Sequence, residues 1–156
     1  MINIKYNQKS ACYIVELSGL GDRIVTGKFD TGAVATIITT KKLGLTDKQL
    51  DLLKKHFDTM VELPKSFHSA TNGEMKGYLV RARNVMLYQT CLKDFYYYLV
   101  LDNNLNKALL GDDFISCCTF NHRPQGDIVI TTIDTASYSA FYKADNAKCF
   151  DIFEVL

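Results

Sequence analysis

Apolar and polar residues alternate over several short stretches of the chain, the pattern that half-buried β-strands produce. Ala11 to Leu17 alternates and is rich in aromatic and β-branched residues. Gly19 to Asp22 predicts a turn, and Arg23 to Phe29 predicts the strand that returns from it. A β-branched run, Ala35 to Thr40, predicts a further strand.

One segment has helical rather than strand periodicity. Thr46 followed by Gln49 is a capping-box pattern, so we expect a helix to begin at Thr46. Leu50, Leu53 and Phe57 fall on one face of this helix. That face is expected to be buried.

The second half of the chain returns to strand character. Met75 to Tyr88, Phe95 to Leu101, Cys117 to Phe120 and Asp127 to Ile133 are extended stretches. Asp112 to Ser116 has the length of one helical turn. We therefore predict a mainly β protein with one or two short helices.

Composition and charge exclude several classes of protein. The 156 residues are 47% hydrophobic and 22% charged, which is an ordinary globular composition. Lys and Arg total 18 against 17 Asp and Glu, so the charge gives no case for a nucleic-acid or membrane partner. The longest apolar run, Phe95 to Leu101, is too short to span a bilayer. The N-terminal residues contain no signal-peptide region, and we expect a cytoplasmic protein.

Neither the cysteines nor the histidines form a recognisable metal or disulfide pattern. The five cysteines are an odd number without Cys-x-x-Cys spacing, which favours free thiols in a reducing compartment. The three histidines are scattered and lack the spacing of metal ligands. We therefore predict no metal and no cofactor.

Asp30, Thr31 and Gly32 form an Asp-Thr-Gly tripeptide between two predicted strands. The tripeptide alone is a weak signal, and two interpretations are open. It can be a strand-end turn in which Asp30 caps its own backbone and Gly32 takes a positive φ. It can also be a catalytic loop, because peptide hydrolysis by carboxylates needs one group to deprotonate a water.

A second motif favours the catalytic interpretation. Ala108 to Ile115 contains an apolar-apolar-Gly segment in which Gly111 leads into the predicted helical turn. Together with the loop from Asp30 to Ala33, it resembles the retropepsin-like family of aspartic peptidases. The resemblance extends from Cys12 to Phe120 and implies an acid-protease barrel with a flap hairpin, for which Ser69 to Tyr78 is the candidate.

The resemblance also implies a role for each residue of the site. Asp30 is the catalytic carboxylate. Four residues, Thr31, Gly32, Ala33 and Gly111, support the active-site loop. The flap tip, which would close over an extended peptide substrate, comprises Thr71, Asn72, Gly73 and Glu74, and Asp113 is a structural hydrogen-bonding residue.

The chain contains one clear copy of the motif, whereas the mechanism needs two carboxylates. Asp134 to Ser137 resembles a second copy, but Ala136 has a Cβ where the family has Gly. We therefore expect a homodimer that places Asp30 against Asp30 of the second copy. Two carboxylates in contact do not both ionise easily, so such a pair shares a proton.

The resemblance covers most of the chain and leaves its last part unassigned. We divide the chain into a protease domain, residues 1–122, and a C-terminal extension, residues 123–156, packed on the domain or at the dimer interface. The extension can also add a sheet edge or occlude the cleft. Val34 and Ala35 stand where retroviral members often carry acidic residues, so we expect different substrate contacts.

Three functions are open at this point. The first is an aspartic endopeptidase that acts as a homodimer on a peptide or protein. The second is a catalytically silent retropepsin-like module for dimerisation or peptide binding. The third is an unrelated β-barrel binding protein in which the motif match is accidental.

Overall fold

The computed structural model of the chain describes residues 1–60, 63–69, 73–123, 126–142 and 149–156. The strands are β1 (Ile2–Ile4), β2 (Tyr6–Asn7), β3 (Cys12–Leu20), β4 (Arg23–Phe29), β5 (Ile37–Thr39), β6 (Lys65–Ser69), β7 (Gly73–Leu87), β8 (Thr90–Val100), β9 (Ala108–Leu110), β10 (Cys118–His122) and β11 (Ile128–Ile133). The helices are α1 (Asp47–Thr59), α2 (Asp112–Ile115), α3 (Thr135–Phe141) and α4 (Ile152–Val155). None of these helices has the length and apolar character needed to cross a membrane.

Six strands close into a barrel in the order β3-β4-β9-β5-β8-β7, because β3 also pairs with β7. Most neighbours are antiparallel, but β4 runs parallel to β9 and β5 runs parallel to β8. Two further strands extend the sheet, β2 beside β3 and β6 beside β7. The prediction of a mainly β protein is confirmed.

Strand β8 is buried on both faces. Successive side chains of a strand point to opposite faces, and both Tyr96 and Tyr97 have no exposed surface. Tyr97 shares its face with Phe95, at a ring distance of 6.0 Å. Tyr96 packs on the other face against Tyr142, at 4.7 Å, and Tyr138, at 5.9 Å. Tyr138 belongs to α3 and Tyr142 follows its last residue, so α3 covers one face of this strand.

Helix α1 begins as predicted. The Gln49 amide donates to Thr46 Oγ1 at 3.2 Å, and the Thr46 amide donates to Gln49 Oε1 at 3.0 Å, which completes the capping box. Leu50, Leu53 and Phe57 are buried, as the helical periodicity predicts.

The strand predicted over Ala35 to Thr40 is shorter than expected. β5 spans only Ile37–Thr39, although backbone hydrogen bonds to β8 continue at Thr36 and Thr40, and the hydroxyls of these two threonines bond to other segments. Thr36 Oγ1 donates to Asp113 at 2.9 Å, and Thr40 Oγ1 donates to Asn103 at 2.8 Å. The β-branched pattern predicts the extended region correctly but not its ends.

The described residues form four helices rather than one or two. Asp134 caps α3 by accepting from the Ser137 amide at 3.0 Å, and Asp151 caps α4 by accepting from the Phe153 amide at 3.0 Å. These two caps introduce the helices that the sequence patterns did not predict. Asp134 to Ser137, which resembles a second catalytic motif, is the start of a helix.

The described C-terminal residues are part of the main hydrophobic core. β11 is the central strand of a second sheet and pairs antiparallel with both β1 and β10. Ile128, Ile130, Tyr138 and Ile152 are buried in the same cluster as the barrel residues. The division of the chain at residue 122 stays a prediction.

We predict that Tyr138→Phe lowers the free energy of unfolding by about 1–3 kcal/mol. The Tyr96 amide donates to Tyr138 Oη at 2.8 Å, and the same hydroxyl donates to the Tyr96 carbonyl at 3.3 Å. Tyr96 precedes the residues of β8 that pair with β5. In the Tyr138→Phe variant, the buried amide and carbonyl of Tyr96 therefore lose the hydroxyl to which they bond. Urea denaturation measures the loss. Tyr6→Phe, which removes a hydroxyl from a residue that is 44% exposed, is the control, and equal losses would contradict the prediction.

Candidate active site

The Asp30 loop begins where β4 ends. The Asp30 amide donates to the Leu110 carbonyl at 2.9 Å, which extends the parallel pairing of β4 with β9. The Ala33 amide donates back to the Asp30 carbonyl at 3.2 Å and closes a tight turn. Asp30 therefore has a fixed backbone at the edge of the barrel.

Gly32 contacts the Asp30 carboxylate closely, because it has a free amide to donate and no side chain in the way. Its amide donates to Asp30 Oδ1 at 2.9 Å, so Asp30 does cap its own loop. Gly32 is not among the residues with a positive φ, and that part of the turn interpretation is wrong. A Cβ at this position would lie 3.2 Å from Asp30 Oδ1, closer than most Cβ contacts. The glycine lets the backbone approach the carboxylate.

Gly111 packs directly against the loop. A Cβ there would lie 2.3 Å from the Ala35 carbonyl oxygen, a distance no side chain can occupy. The Gly111 amide donates to Thr36 Oγ1 at 3.2 Å, and the next amide, of Asp112, donates to the Ala33 carbonyl at 2.7 Å. The two sequence motifs are therefore in backbone contact.

Asp113 is buried behind the loop, where only 6% of its surface is exposed. Its Oδ1 accepts from Thr36 Oγ1 and from the Phe114 amide, each at 2.9 Å. Its Oδ2 accepts a hydrogen bond from the Tyr142 hydroxyl. Burial and the nearby Asp113 charge raise the pKa of Tyr142, so this hydroxyl remains a donor at neutral pH.

Sequence reasoning identified Asp113 but missed Tyr142. Tyr142 lies 29 residues further along the chain and has no local signal beyond its aromatic side chain. Only the packing of α3 brings its hydroxyl to the carboxylate.

A cleft of about 790 Å³ opens over Asp30. Gly32, Ala33 and Val34 line it on the loop side, and Phe67 and Met75, paired across β6 and β7, line it on the other. The Asp30 side chain is 25% exposed. The carboxylate is therefore held at a cleft that a β-hairpin borders.

The hairpin corresponds to the predicted flap in part. β6 and β7 pair antiparallel up to Ser69 opposite Gly73, and Gly73 has a φ of +66°. Gly73 and Glu74 lie at the start of β7. Thr71 and Asn72, also predicted for the flap tip, lie outside the described residues.

One cation lies beside the carboxylate. Lys28 Nζ is 3.6 Å from Asp30 Oδ2, and the Lys28 side chain is 47% exposed. Such an exposed pair contributes at most about 1 kcal/mol. Sequence reasoning missed Lys28, although its position in β4, two residues before Asp30, is a usable signal.

Other reactive groups do not form a site of their own in the described part of the chain. No three or more His, Cys, Asp or Glu residues converge as a metal site there. Burial raises the pKa of Cys118 to about 12 and also raises the pKa of Cys117, so both thiols are protonated at neutral pH. Hydrogen bonds from Ser137 lower the pKa of Asp134, which lies outside the cleft.

The fold is similar to that of a known protease structure. A crystal structure of a retropepsin-like aspartic protease from Rickettsia conorii matches with a TM-score of 0.55 and 21% identity, over 82% of this chain and 97% of that one. The chain has a retropepsin-like fold. The predicted barrel with a flap hairpin is confirmed.

A second solved structure matches less well, and the sequence comparisons found no match. EIAV protease complexed with the inhibitor HBY-793 matches with a TM-score of 0.37 and 13% identity, over 70% of this chain and 89% of that one. No family model and no curated protein matches the sequence.

We predict that Gly111→Ala lowers the free energy of unfolding by about 1–3 kcal/mol, because its Cβ overlaps the Ala35 backbone. Gly32→Ala is the matched comparison. Its Cβ meets only the end of the Asp30 side chain, which can shift, so the loss of stability is smaller. Denaturant titration of both variants measures the difference, and a larger loss for Gly32→Ala would refute the packing argument.

We also predict that Asp113→Asn lowers the free energy of unfolding by roughly 1.5–3 kcal/mol for each hydrogen bond that it breaks. An amide nitrogen cannot accept from either Thr36 or Tyr142. Asp112→Asn alters the exposed neighbour and should change stability by less than about 0.5 kcal/mol. Thermal and urea unfolding compare the two, and similar losses would show that the buried network contributes little.

Proposed function

We propose that the chain is an aspartic endopeptidase, which hydrolyses peptide bonds with a water activated between the Asp30 carboxylates of a homodimer. The observation that carries the proposal is the Asp30-Thr31-Gly32 loop, which presents a partly exposed carboxylate at the cleft bordered by the hairpin. The retropepsin-like fold is consistent with this chemistry.

The proposed mechanism needs a second carboxylate. Asp30 is the one carboxylate among the described residues that line the cleft. A two-fold dimer would supply the other from the same loop of the second copy. One carboxylate would then deprotonate the water while the other, holding the shared proton, hydrogen-bonds the scissile carbonyl.

The surface beside Asp30 supports an interface at this place. Thr31 and Gly32 are exposed in the single chain, and the apolar Val34 is 73% exposed. In the proposed dimer Thr31 would hydrogen-bond across the two-fold axis and brace both loops. Asp113 and Gly111 would hold each loop from behind, through the contacts described above.

The substrate would bind as an extended strand. The cleft lies between the loop and hairpin β6–β7, which the proposal assigns as a flap that closes over the peptide. Thr71 to Glu74 would form its tip. We also propose a cytoplasmic location, which the free thiols of Cys12, Cys91, Cys117 and Cys118 support.

A catalytically silent dimerisation or peptide-binding module is the second candidate. The contact between Lys28 and Asp30 favours it, because a cation there competes with a second carboxylate for Asp30 Oδ2. The intact loop favours the peptidase, since two carboxylates in close contact are unfavourable in a protein that does not use them.

We predict that the protein cleaves members of a diverse peptide library and that Asp30→Asn abolishes this cleavage. Mass spectrometry of both proteins from about pH 4 to pH 8, a range that begins near the ordinary pKa of an aspartate side chain, identifies the cleaved bonds. Asn preserves the size of the side chain but cannot act as a base. Sedimentation of both proteins, expected to be dimeric, is the control. Dimers without cleavage would support the silent module, and cleavage by Asp30→Asn would rule out the assignment of Asp30.

A further inference from the structure

Cations line the cleft around Asp30. Lys28, Lys65 and Lys107 all contribute to its walls, whereas Asp30 is the one carboxylate among the described residues of the lining. The whole chain has 18 Lys and Arg against 17 Asp and Glu. The positive excess is therefore a local property of the cleft.

Two aromatic rings hold the Lys65 ammonium. Its Nζ lies 5.5 Å from the centroid of the Phe67 ring and 5.4 Å from that of Tyr98. The two rings contact each other edge to face at 4.9 Å. Such cation–π contacts restrict an otherwise flexible side chain. Lys65 opens β6, so the charge lies at the base of the hairpin.

The backbone of Lys107 is fixed by β5. The Lys107 amide donates to Thr39 Oγ1 at 3.2 Å, and the Thr39 amide donates to the Lys107 carbonyl at 3.0 Å. Lys107 is partly buried beside β9, whose Leu109 also lines the cleft. The Lys107 backbone, from which the side chain extends, therefore has a fixed position on the wall of the cleft.

The charges of Lys65 and Lys107 are not neutralised locally. Lys28 has Asp30 within 4.0 Å, but neither of the other two lysines has such a carboxylate among the described residues. The loop after Asp30 adds no negative charge, because residues 31 to 34 are uncharged. An anionic group that enters the cleft would meet the ammonium groups of Lys65 and Lys107, and Asp30 is the one carboxylate among the described lining residues.

We propose that the cleft selects peptides with Asp or Glu side chains near the scissile bond, and that Lys65 and Lys107 are specificity-determining residues. This inference rests on the proposed peptidase function. A cleft lined by one sign of charge concentrates substrates of the other sign. Ammonium and carboxylate groups also form charge-assisted hydrogen bonds, and an extended peptide points alternate side chains towards the same wall.

The test uses matched peptides based on a sequence that the library shows to be cleaved. Both termini are blocked, so that only side-chain carboxylates are negative, and Glu, Gln or Lys is placed at one subsite at a time. We expect kcat/KM for the best Glu peptide to exceed that of its Gln counterpart roughly threefold to tenfold. The ratio should fall between about 0.05 M and about 0.5 M salt, because salt screens these charges.

Variants assign the preference to the two lysines. In a protein with both Lys65→Gln and Lys107→Gln, the Glu-to-Gln ratio should fall towards one. Lys65→Glu together with Lys107→Glu should favour the Lys peptide instead. Lys54→Gln, on the exposed face of α1, removes one positive charge outside the cleft and should leave the ratio unchanged.

The outcomes separate this inference from the peptidase proposal. Cleavage that depends on Asp30 but shows no acidic preference, or a preference that the double Gln variant retains, overturns the inference and leaves the peptidase intact. If no peptide is cleaved, the Glu and Gln peptides are built instead on library sequences, and calorimetric titration of Asp30→Asn compares how tightly they bind. Glu-selective binding that the lysine variants abolish supports the inference without catalysis, whereas equal or absent binding overturns it.

Discussion

The close approach of Gly111 to the Ala35 backbone is the constraint on which the candidate site depends. An added Cβ would lie 2.3 Å from the Ala35 carbonyl oxygen, so the two segments meet only because residue 111 has no side chain. That contact brings the Asp112 amide to the Ala33 carbonyl and aligns Leu110 with the Asp30 amide. Asp30 is therefore held from both sides by backbone hydrogen bonds. In the proposed function, a backbone held in this way would position the Asp30 carboxylate for the reaction.

The buried carboxylate of Asp113 extends this support into the C-terminal part of the chain. A buried charge is unfavourable unless hydrogen bonds replace its hydration, and Asp113 accepts from Thr36, Phe114 and Tyr142. Tyr142 follows the last residue of α3, the helix that also supplies Tyr138 to the backbone of β8. One short helix thus covers one face of β8 and leads directly into Tyr142, which hydrogen-bonds behind the Asp30 loop. Among the described residues, no part of this C-terminal segment lines the cleft.

The electrostatics of the cleft differ from those of the whole molecule. The chain is nearly neutral, but Lys28, Lys65 and Lys107 lie around the single Asp30 carboxylate. In the proposed function Lys65 and Lys107 would attract an acidic substrate, whereas Lys28 already contacts Asp30. The attraction would be effective because a partly enclosed cleft screens charges less than open solvent does.

The sequence by itself determined the elements whose signals are local. The capping box at Thr46 and Gln49 predicts the start of α1, because both partners lie within one helical turn. Strand periodicity predicted a mainly β protein, and the family resemblance of the motifs at Asp30 and Gly111 implied the barrel and the loop. Asp134 and Asp151 are capping residues with equally local signals, yet the short helices that follow them lack a clear apolar period and were missed.

Only the tertiary structure decided which distant residues meet. Tyr142 reaches Asp113 across 29 positions, and Thr36 reaches it across 77. The aromatic rings that hold Lys65 come from separate strands, and its approach to the cleft of Asp30 has no counterpart in the sequence pattern. Periodicity and capping report interactions between neighbours along the chain. Contacts between distant residues depend on how the strands close and the helices pack, so they appear only when the chain is folded.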